Sequence, residues 1–427
     1  MFDLGIINGR VYFGKEYRVT NIYIKAGKIV EISKEIYECE RTMDATKKLV
    51  LPGFIDSHVH FSLKVGEFES ADDFESGSKT AAYGGITTFL DFTDPILHQD
   101  EFKEALEKRK KEAEKSCVDY SFHATVGDFK GDAEEFKSMC KDEGINSIKV
   151  FTTYSESGRQ CSYDMIDKLF DQEMILMAHC EEEDLLKKKW ENPATFEKSR
   201  PVMAERSAAM HMADMAERKN SRLYIVHISS GSTLDMIKLK HPKQIGKRIF
   251  LESCPHYFYL SDVKLSNIDG NLYLLIPPLR GGKELMRLRS SIALIDTIST
   301  DHCPFMIEEK MKYEMAYQVP MGVGGVEHSF PLMFNLFGDA IIPKFTSKPA
   351  EIFGLKNKGE IKVGKDGDLV IFDSSLSNTI KESHSNADYT VYEGLKIRGK
   401  ISATISRGHV VMENDQFYGG QGQFIRR

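Results

Sequence analysis

The sequence has few of the features that mark membrane, secreted or nucleic-acid-binding proteins. No apolar run reaches the roughly 18 residues that a membrane span needs, and the first ten residues, MFDLGIINGR, carry an acid where a signal peptide has basic residues. Lys and Arg number 57 against 64 Asp and Glu, a net charge of −7. Because this mildly acidic balance comes with no Lys/Arg-rich face, we expect no membrane and no nucleic acid as partner.

Cysteine is also sparse. The seven cysteines are scattered over 427 residues and never form a C-x-x-C pair. This pattern excludes a disulfide framework and a Cys-type zinc site, and it is typical of a reduced, cytoplasmic protein. A hydrophobic share of 41% with 28% charged residues fits an ordinary folded chain with an ample core.

The two ends of the chain share a sequence pattern that the middle lacks. Residues 1–50 and 355–427 contain short β-branched, alternating runs separated by Gly and polar turns, which are typical of half-buried antiparallel strands. Because chain ends usually lie close together on a domain surface, we predict that both ends build one small β-sandwich domain. Residues 51–354 would then form the second domain.

The middle of the chain alternates apolar runs with charged amphipathic stretches. The apolar runs cover residues 54–60, 86–92, 118–126, 147–153, 175–180, 223–229, 249–254 and 297–300. Eight such alternations over about 250 residues are what a (β/α)8 barrel requires, and no G-x-G-x-x-G motif favours a doubly wound sheet instead. We therefore predict an α/β fold, a TIM-type barrel joined to the small β-sandwich.

Ionisable residues stand at the ends of several predicted strands, where a barrel carries its chemistry. His58 and His60 close the first strand, and residues two apart on a strand face the same side. His179 closes the fifth strand, His227 lies near the end of the sixth, and Asp301 follows the eighth. Each alone is simply explained as a hydrogen-bonded core residue, but together they predict a site for Zn, Fe, Ni or Mn.

Lys149 lies inside the apolar run 147–153, where burial would lower the pKa of its amine. One interpretation is a lysine whose amine reaches out of the barrel. The other is a neutral amine that takes up carbon dioxide as a carbamate and bridges two metal ions. Two ions so placed can share one hydroxide and polarise a carbonyl for hydrolysis.

Ordered sequence blocks along nearly the whole chain resemble the amidohydrolase superfamily, and within it the dihydropyrimidinase and D-hydantoinase branch. The blocks are LPGFIDSHVHF (51–61), ADDFESGSKTAAYGGITTFLDFTDP (71–95), SIKVFTTYS (147–155), LYIVHISSGS (223–232), ESCPHYFYL (252–260), PPLR (277–280), STDHCPF (299–305), GVEHSFPL (325–332) and KGEIKVGKDGDLVIFD (358–373). The resemblance implies a metal-dependent hydrolase, with zinc as the usual metal, and a homotetramer.

Site roles follow from the same resemblance. It implies that His58, His60 and Asp301 hold the more buried metal ion, that His179 and His227 hold the more exposed one, and that carboxylated Lys149 bridges the two.

Smaller features point to a branch of the family. Tyr154 matches the tyrosine that donates a hydrogen bond to the oxyanion in dihydropyrimidinase-like enzymes. Dihydroorotases carry an Arg soon after H-x-H, whereas this sequence continues with residues 61–63, FSL, which disfavours that branch. Allantoinases typically lack the tyrosine and rank second. Ile276 and Met321 stand where members of this branch usually have Ser and Asn, in segments expected to contact the substrate ring through the backbone.

We therefore predict hydrolytic opening of a small cyclic amide or imide, a dihydropyrimidine or a 5-substituted hydantoin, to an N-carbamoyl amino acid. A metal-bridging hydroxide would attack, Asp301 would act as general base and then general acid, and Tyr154 would stabilise the oxyanion. Leu63 and Phe151 are candidates for an apolar wall around the ring substituent, or equally for packing at the barrel rim. The alternatives are an allantoinase-type ureide hydrolase and a non-catalytic scaffold of the same fold; the filled ligand positions favour an enzyme.

Overall fold

A computed structural model describes residues 1–427 of the chain. The strands are β1 Phe2–Tyr12, β2 Tyr17–Lys25, β3 Lys28–Ser33, β4 Cys39–Asp44, β5 Leu49–Pro52, β6 Phe54–Asp56, β7 Lys64–Val65, β8 Phe68–Glu69, β9 Ile86–Phe92, β10 Asp119–Thr125, β11 Ser147–Phe151, β12 Ile175–His179, β13 Arg222–Ile225, β14 Ile249–Ser253, β15 Thr297–Ile298, β16 Leu369–Thr379, β17 Lys396–Ser406, β18 His409–Glu413 and β19 Gln416–Phe417. The helices are α1 Phe74–Tyr83, α2 Phe102–Glu112, α3 Ala133–Asp142, α4 Tyr163–Leu169, α5 Phe196–Ser199, α6 Val202–Lys219, α7 Gly231–Lys240, α8 Pro255–Tyr259, α9 Gly282–Ser290, α10 Ile307–Met311, α11 Ser329–Phe337, α12 Ile342–Phe345 and α13 Ser347–Phe353.

Eight parallel strands form the barrel, in the order β6, β9, β10, β11, β12, β13, β14 and β15. They coincide with the eight apolar runs, apart from β13, which begins one residue before its run, so the predicted barrel is confirmed. The first strand ends at Asp56 and the sixth at Ile225, so His58, His60 and His227 lie just after the strands and not on them as predicted. The segments after β6 and β15 close the ring. His60 N donates to His302 O (2.9 Å) and Asp301 N donates to His58 O (2.8 Å). The closure of the barrel therefore places His58, His60 and Asp301 side by side.

Local sequence explains how the barrel elements begin and end. β9, ITTFLDF, is buried along its whole length, as expected of a parallel strand covered on both faces. Asp73 caps the start of α1, and its side chain accepts from Ser76 N in a capping box. Asn220 directly follows α6 and adopts the left-handed conformation that terminates many helices. No helix combines the length and hydrophobicity that crossing a bilayer demands.

The second sheet joins the two ends of the chain. Its order is β19, β18, β17, β16, β5, β1, β2 and β3, with β4 also paired to β1. β16 runs antiparallel to β5, with Leu369 opposite Pro52, and this pairing unites the two halves. Most pairs are antiparallel, but β4 and β5 are both parallel to β1. The predicted sheet from both termini is confirmed, while the division into domains at residues 50 and 355 stays a prediction.

A buried ion cluster joins this sheet to the barrel. The Lys358 amine, 3% exposed, lies 2.6 Å from Asp368 and 3.0 Å from Asp366 and also contacts Asp119 at the start of β10. Burial opposes the charge on Lys358, but the three carboxylates outweigh it and raise the pKa of the amine. The lysine amine thus lies where three Asp oxygens could otherwise hold a cation, and Lys28 and Arg407 pair in addition with Asp366 and Asp119.

Candidate metal centre

A single cavity of about 620 Å³ opens at the carboxyl ends of the barrel strands, within the size range of small-molecule sites. It brings together every residue that the sequence singled out. These are His58, His60, Leu63, Lys149, Phe151, Tyr154, His179, His227, Ile276, Asp301 and Met321.

Three ligand atoms form a nearly equilateral triangle on one side of the cavity. His58 Nε2 lies 3.2 Å from His60 Nε2, and Asp301 Oδ1 lies 3.2 Å from His58 Nε2 and 3.0 Å from His60 Nε2. Ligands of a tetrahedral zinc ion are about 3.4 Å apart, given zinc–ligand bonds of about 2.1 Å. Two imidazole nitrogens and a carboxylate oxygen therefore converge as the ligands of a divalent metal ion would.

Glu252 fixes the orientation of His58. Its Oε1 lies 2.8 Å from His58 Nδ1 and accepts from His227 N at 3.0 Å. Its other oxygen accepts from the Tyr224 hydroxyl at 2.6 Å. Because this completely buried carboxylate engages Nδ1, Nε2 of His58 is the nitrogen left to face the cavity.

A second pair of imidazoles faces the cavity from β12 and the segment after β13. His179 Nδ1 lies 3.0 Å from His227 Nε2, while His179 Nε2 lies 2.8 Å from Glu181 Oε2. Glu181 is held by Arg200, whose Nη2 and Nε donate to it at 2.5 and 3.0 Å. Two nitrogens directed at one point, one of them oriented by a buried carboxylate, fit a second metal position.

Lys149 lines the same cavity. Its side chain is 1% exposed, and the contacts of its amine are with aromatic rings and not with a hydrogen-bond or ion-pair partner. The nearest ring centres are those of Phe151 and Phe92, at 5.2 and 5.3 Å. Burial lowers the pKa of the amine to about 8, against the opposing charge of Asp301. Of the two interpretations of Lys149, the buried amine agrees with the structure and the solvent-reaching one does not.

Tyr154 stands over the second imidazole pair. Its ring centre lies 5.2 Å from that of His179 and 5.3 Å from the Arg200 guanidinium. Burial raises the pKa of Tyr154 well above its ordinary value, so the phenol keeps its proton and can donate a hydrogen bond. Tyr154, His227 and Asp301 all have positive φ, of 75°, 38° and 50°. Residues with side chains rarely adopt this conformation, and such strain concentrates at functional sites.

Sequence reasoning missed the residues that support these ligands. Glu252 and Glu181 are completely buried and Arg200 nearly so. A signal was present for both carboxylates, since Glu252 interrupts the apolar run 249–254 as Lys149 interrupts its own, and Glu181 follows His179 at a spacing of two. Arg200, before α6, carries no comparable signal.

The four remaining predicted substrate contacts lie around the rim. Leu63, Phe151, Ile276 and Met321 are all half-buried and line the cavity. Leu63 stands next to the β7–β8 hairpin, and Phe151 ends β11. All four are accessible to a molecule bound in the cavity.

Comparison with known proteins agrees with this geometry. Residues 49–411 match the amidohydrolase family. A D-phenylhydantoinase of Escherichia coli is 31% identical over 452 aligned positions that cover 99% of this chain and 97% of the relative. The crystal structure of dihydropyrimidinase from Brevibacillus agri superposes with a TM-score of 0.92 at 28% identity, covering 100% of this chain and 99% of that one. An L-hydantoinase (dihydropyrimidinase) from Arthrobacter aurescens gives a TM-score of 0.88 at 27% identity, with both chains covered completely.

Proposed function

The chain belongs to the amidohydrolase family and is a hydrolase of cyclic amides, and we propose that it opens a dihydropyrimidine or a 5-substituted hydantoin to an N-carbamoyl amino acid. The observation that carries this proposal is the convergence of four imidazoles, one carboxylate and one buried amine on a single cavity. Relatives named for D- and for L-hydantoin hydrolysis are both similar to this chain.

The donor set suits two divalent metal ions, for which we infer zinc. His58, His60 and Asp301 would hold one ion, and His179 and His227 the other. Lys149, carboxylated by carbon dioxide, would bridge them. Such ions lower the pKa of a bound water and polarise a carbonyl oxygen.

The protein's own side chains then supply proton transfer and charge stabilisation. Asp301 accepts a proton from the attacking water and delivers it to the ring nitrogen as the carbon–nitrogen bond breaks. The Tyr154 hydroxyl donates a hydrogen bond to the oxygen of the scissile carbonyl as negative charge develops there. The products are a carboxylic acid, which releases the second proton of the water to solvent and becomes a carboxylate, and a ureido group.

Tyr154→Phe tests the oxyanion role. We expect turnover of dihydrouracil and hydantoin to fall by about 10²-fold to 10³-fold, with two metal ions per chain still bound. Tyr163→Phe is the matched control, because its hydroxyl contacts Glu182, outside the ligand set. Wild-type turnover by Tyr154→Phe on every cyclic imide would remove Tyr154 from the mechanism.

Two measurements separate this proposal from its alternatives. Metal analysis after growth with zinc and bicarbonate should find about two ions per chain, whereas a non-catalytic scaffold would bind none. A side-by-side assay of dihydrouracil, phenylhydantoin, allantoin and dihydroorotate should favour the first two, whereas an allantoinase-type enzyme would favour allantoin. The proposal includes a homotetramer, which sedimentation would test.

A further inference from the structure

Two cationic side chains that line the cavity have no acidic partner. Apart from the metal centre and the Glu181–Arg200 pair, its lining carries three cationic and three acidic side chains, namely Arg159, Lys187, Lys188, Glu67, Glu156 and Glu183. Every acid has a partner. Glu156 and Glu183 lie 3.0 and 3.7 Å from Lys188, and Glu67 accepts from Tyr313 at 2.8 Å. Arg159 and Lys187 have no ion-pair partner.

Of the two unpaired cations, Arg159 is the better placed to bind a ligand in the cavity. It is half-buried at the cavity wall, whereas Lys187 is exposed. Its guanidinium makes no hydrogen bond and no ion pair within the chain. A half-buried guanidinium has five donors to satisfy, so an unpaired one that lines a ligand cavity is a ready partner for an anionic group.

The loop that carries Arg159 is fixed in position. Arg159 N donates to Tyr154 O at 3.1 Å, and Cys161 N donates to Phe151 O at 2.9 Å. Gln160 Nε2 donates to Thr152 O at 2.9 Å. Arg159 is thus held on the same tight loop as Tyr154, and its charge acts on that phenol against the larger effect of burial.

This placement relates Arg159 to one part of a substrate. The scissile carbonyl must lie at the metal ligands and Tyr154, which leaves the exocyclic substituent of the ring directed toward the cavity mouth. Phe151 and Leu63 line the same cavity as apolar surface. Arg159 adds a positive charge there.

We propose, on the basis of the proposed function above, that this enzyme prefers cyclic amides whose exocyclic substituent ends in a carboxylate, and that Arg159 binds that carboxylate. Lys187 adds long-range attraction at the mouth. The substrate class is a hydantoin or dihydropyrimidine with a short acidic side chain, in place of the neutral aromatic or unsubstituted ring.

The test compares two rings of equal size on the zinc-loaded, full-length protein. One is 5-(2-carboxyethyl)hydantoin, and the other is its primary amide, 5-(2-carbamoylethyl)hydantoin. We expect kcat/KM to favour the acid by about 10-fold to 100-fold, chiefly through KM. Arg159→Gln should abolish the preference, and Arg159→Lys should restore part of it. Lys188→Gln, a cation already paired within the same cavity, should retain it.

The outcomes separate this inference from the proposed function. Equal kcat/KM for acid and amide, or a preference unchanged in Arg159→Gln, overturns the inference while hydrolysis of the neutral rings upholds the proposed function. If no ring is hydrolysed, the proposed function fails. Calorimetric binding of the same two compounds then decides the inference alone: tighter binding of the acid that Arg159→Gln removes supports it, and equal binding overturns it.

Discussion

Two buried lysines in this molecule have opposite environments. Lys358 joins the second sheet to the barrel and contacts three carboxylates, which raise the pKa of its amine. Lys149 lies in the barrel cavity with no direct partner, and burial lowers the pKa of its amine to about 8. Both are almost inaccessible to solvent, at 3% and 1% exposure. Burial alone therefore does not identify a reactive lysine.

The charged groups next to each amine explain why the pKa of Lys358 is raised and that of Lys149 is lowered. A cation surrounded by carboxylates stays protonated and serves structure, because each charge offsets the desolvation of the others. An amine that lacks such partners can lose its proton and act as a nucleophile toward carbon dioxide. The same substitution at the two positions should therefore have opposite consequences for stability and for activity.

Lys149→Met should give the largest effect on activity. It removes the bridging group, and we expect loss of bound metal and a fall in turnover of about 10³-fold or more. The melting temperature of the metal-free protein should stay constant or rise, because an apolar side chain replaces a poorly solvated amine. Metal analysis, turnover of hydantoin and thermal melting without metal measure the three effects.

A drop in the melting temperature of metal-free Lys149→Met as large as that of Lys358→Met would contradict this contrast. Lys149 would then be an ordinary structural cation, and its carboxylation would have no support.

Lys358→Met should give the largest effect on stability. It removes the one cation that the three carboxylates share and leaves Lys28 and Arg407 to pair with Asp366 and Asp119 only. Breaking a buried pair in this way costs about 3–5 kcal/mol. We expect a clearly lower melting temperature with near-normal turnover well below it. Lys365→Met is the control, since its pair with Glu360, at 3.8 Å, lies near the surface and contributes little.

The contrast between Lys149 and Lys358 also shows which features of the molecule the sequence could predict. The eight strands, and the meeting of six candidate metal ligands in one cavity, were predictable because parallel strands bring their carboxyl ends to one mouth. Lys149 and His179 needed only their strand positions for this prediction. The ion cluster around Lys358 could not be predicted, because residues 119, 358, 366 and 368 meet only when the second sheet packs against the barrel. Nor could the sequence tell that Arg159 lacks a partner, since pairing depends on loop geometry.

Glu181→Gln tests whether a buried carboxylate at the cavity serves orientation. Removing its charge weakens its contact with His179, and supporting groups of this kind typically contribute 10-fold to 100-fold in metal affinity or activity. We expect a loss in that range, seen by metal titration and turnover. The melting temperature should fall less than in Lys358→Met, because the amide oxygen still accepts from Arg200.

Glu183→Gln is the matched control for this prediction. Glu183 lines the same cavity but bonds Ser155 and Lys188. Equal losses in the two variants would show that any acid at the cavity matters and that His179 needs no dedicated partner.

The smallest expected effect is the pH dependence of the stability difference between the wild type and Lys358→Met. In the wild type, Lys358 lowers the pKa of Asp366 against the effect of burial and opposes the burial that raises the pKa of Asp368. Without Lys358 both carboxyl pKa values rise, because buried like charges favour protonation. The stability deficit of Lys358→Met is then fully present above these raised pKa values and shrinks as the pH falls through them. Melting curves at pH 7, 5 and 4 should show the gap to wild type narrowing, while Lys365→Met runs parallel to wild type; a constant gap would mean that lost packing, and not charge, explains the role of Lys358.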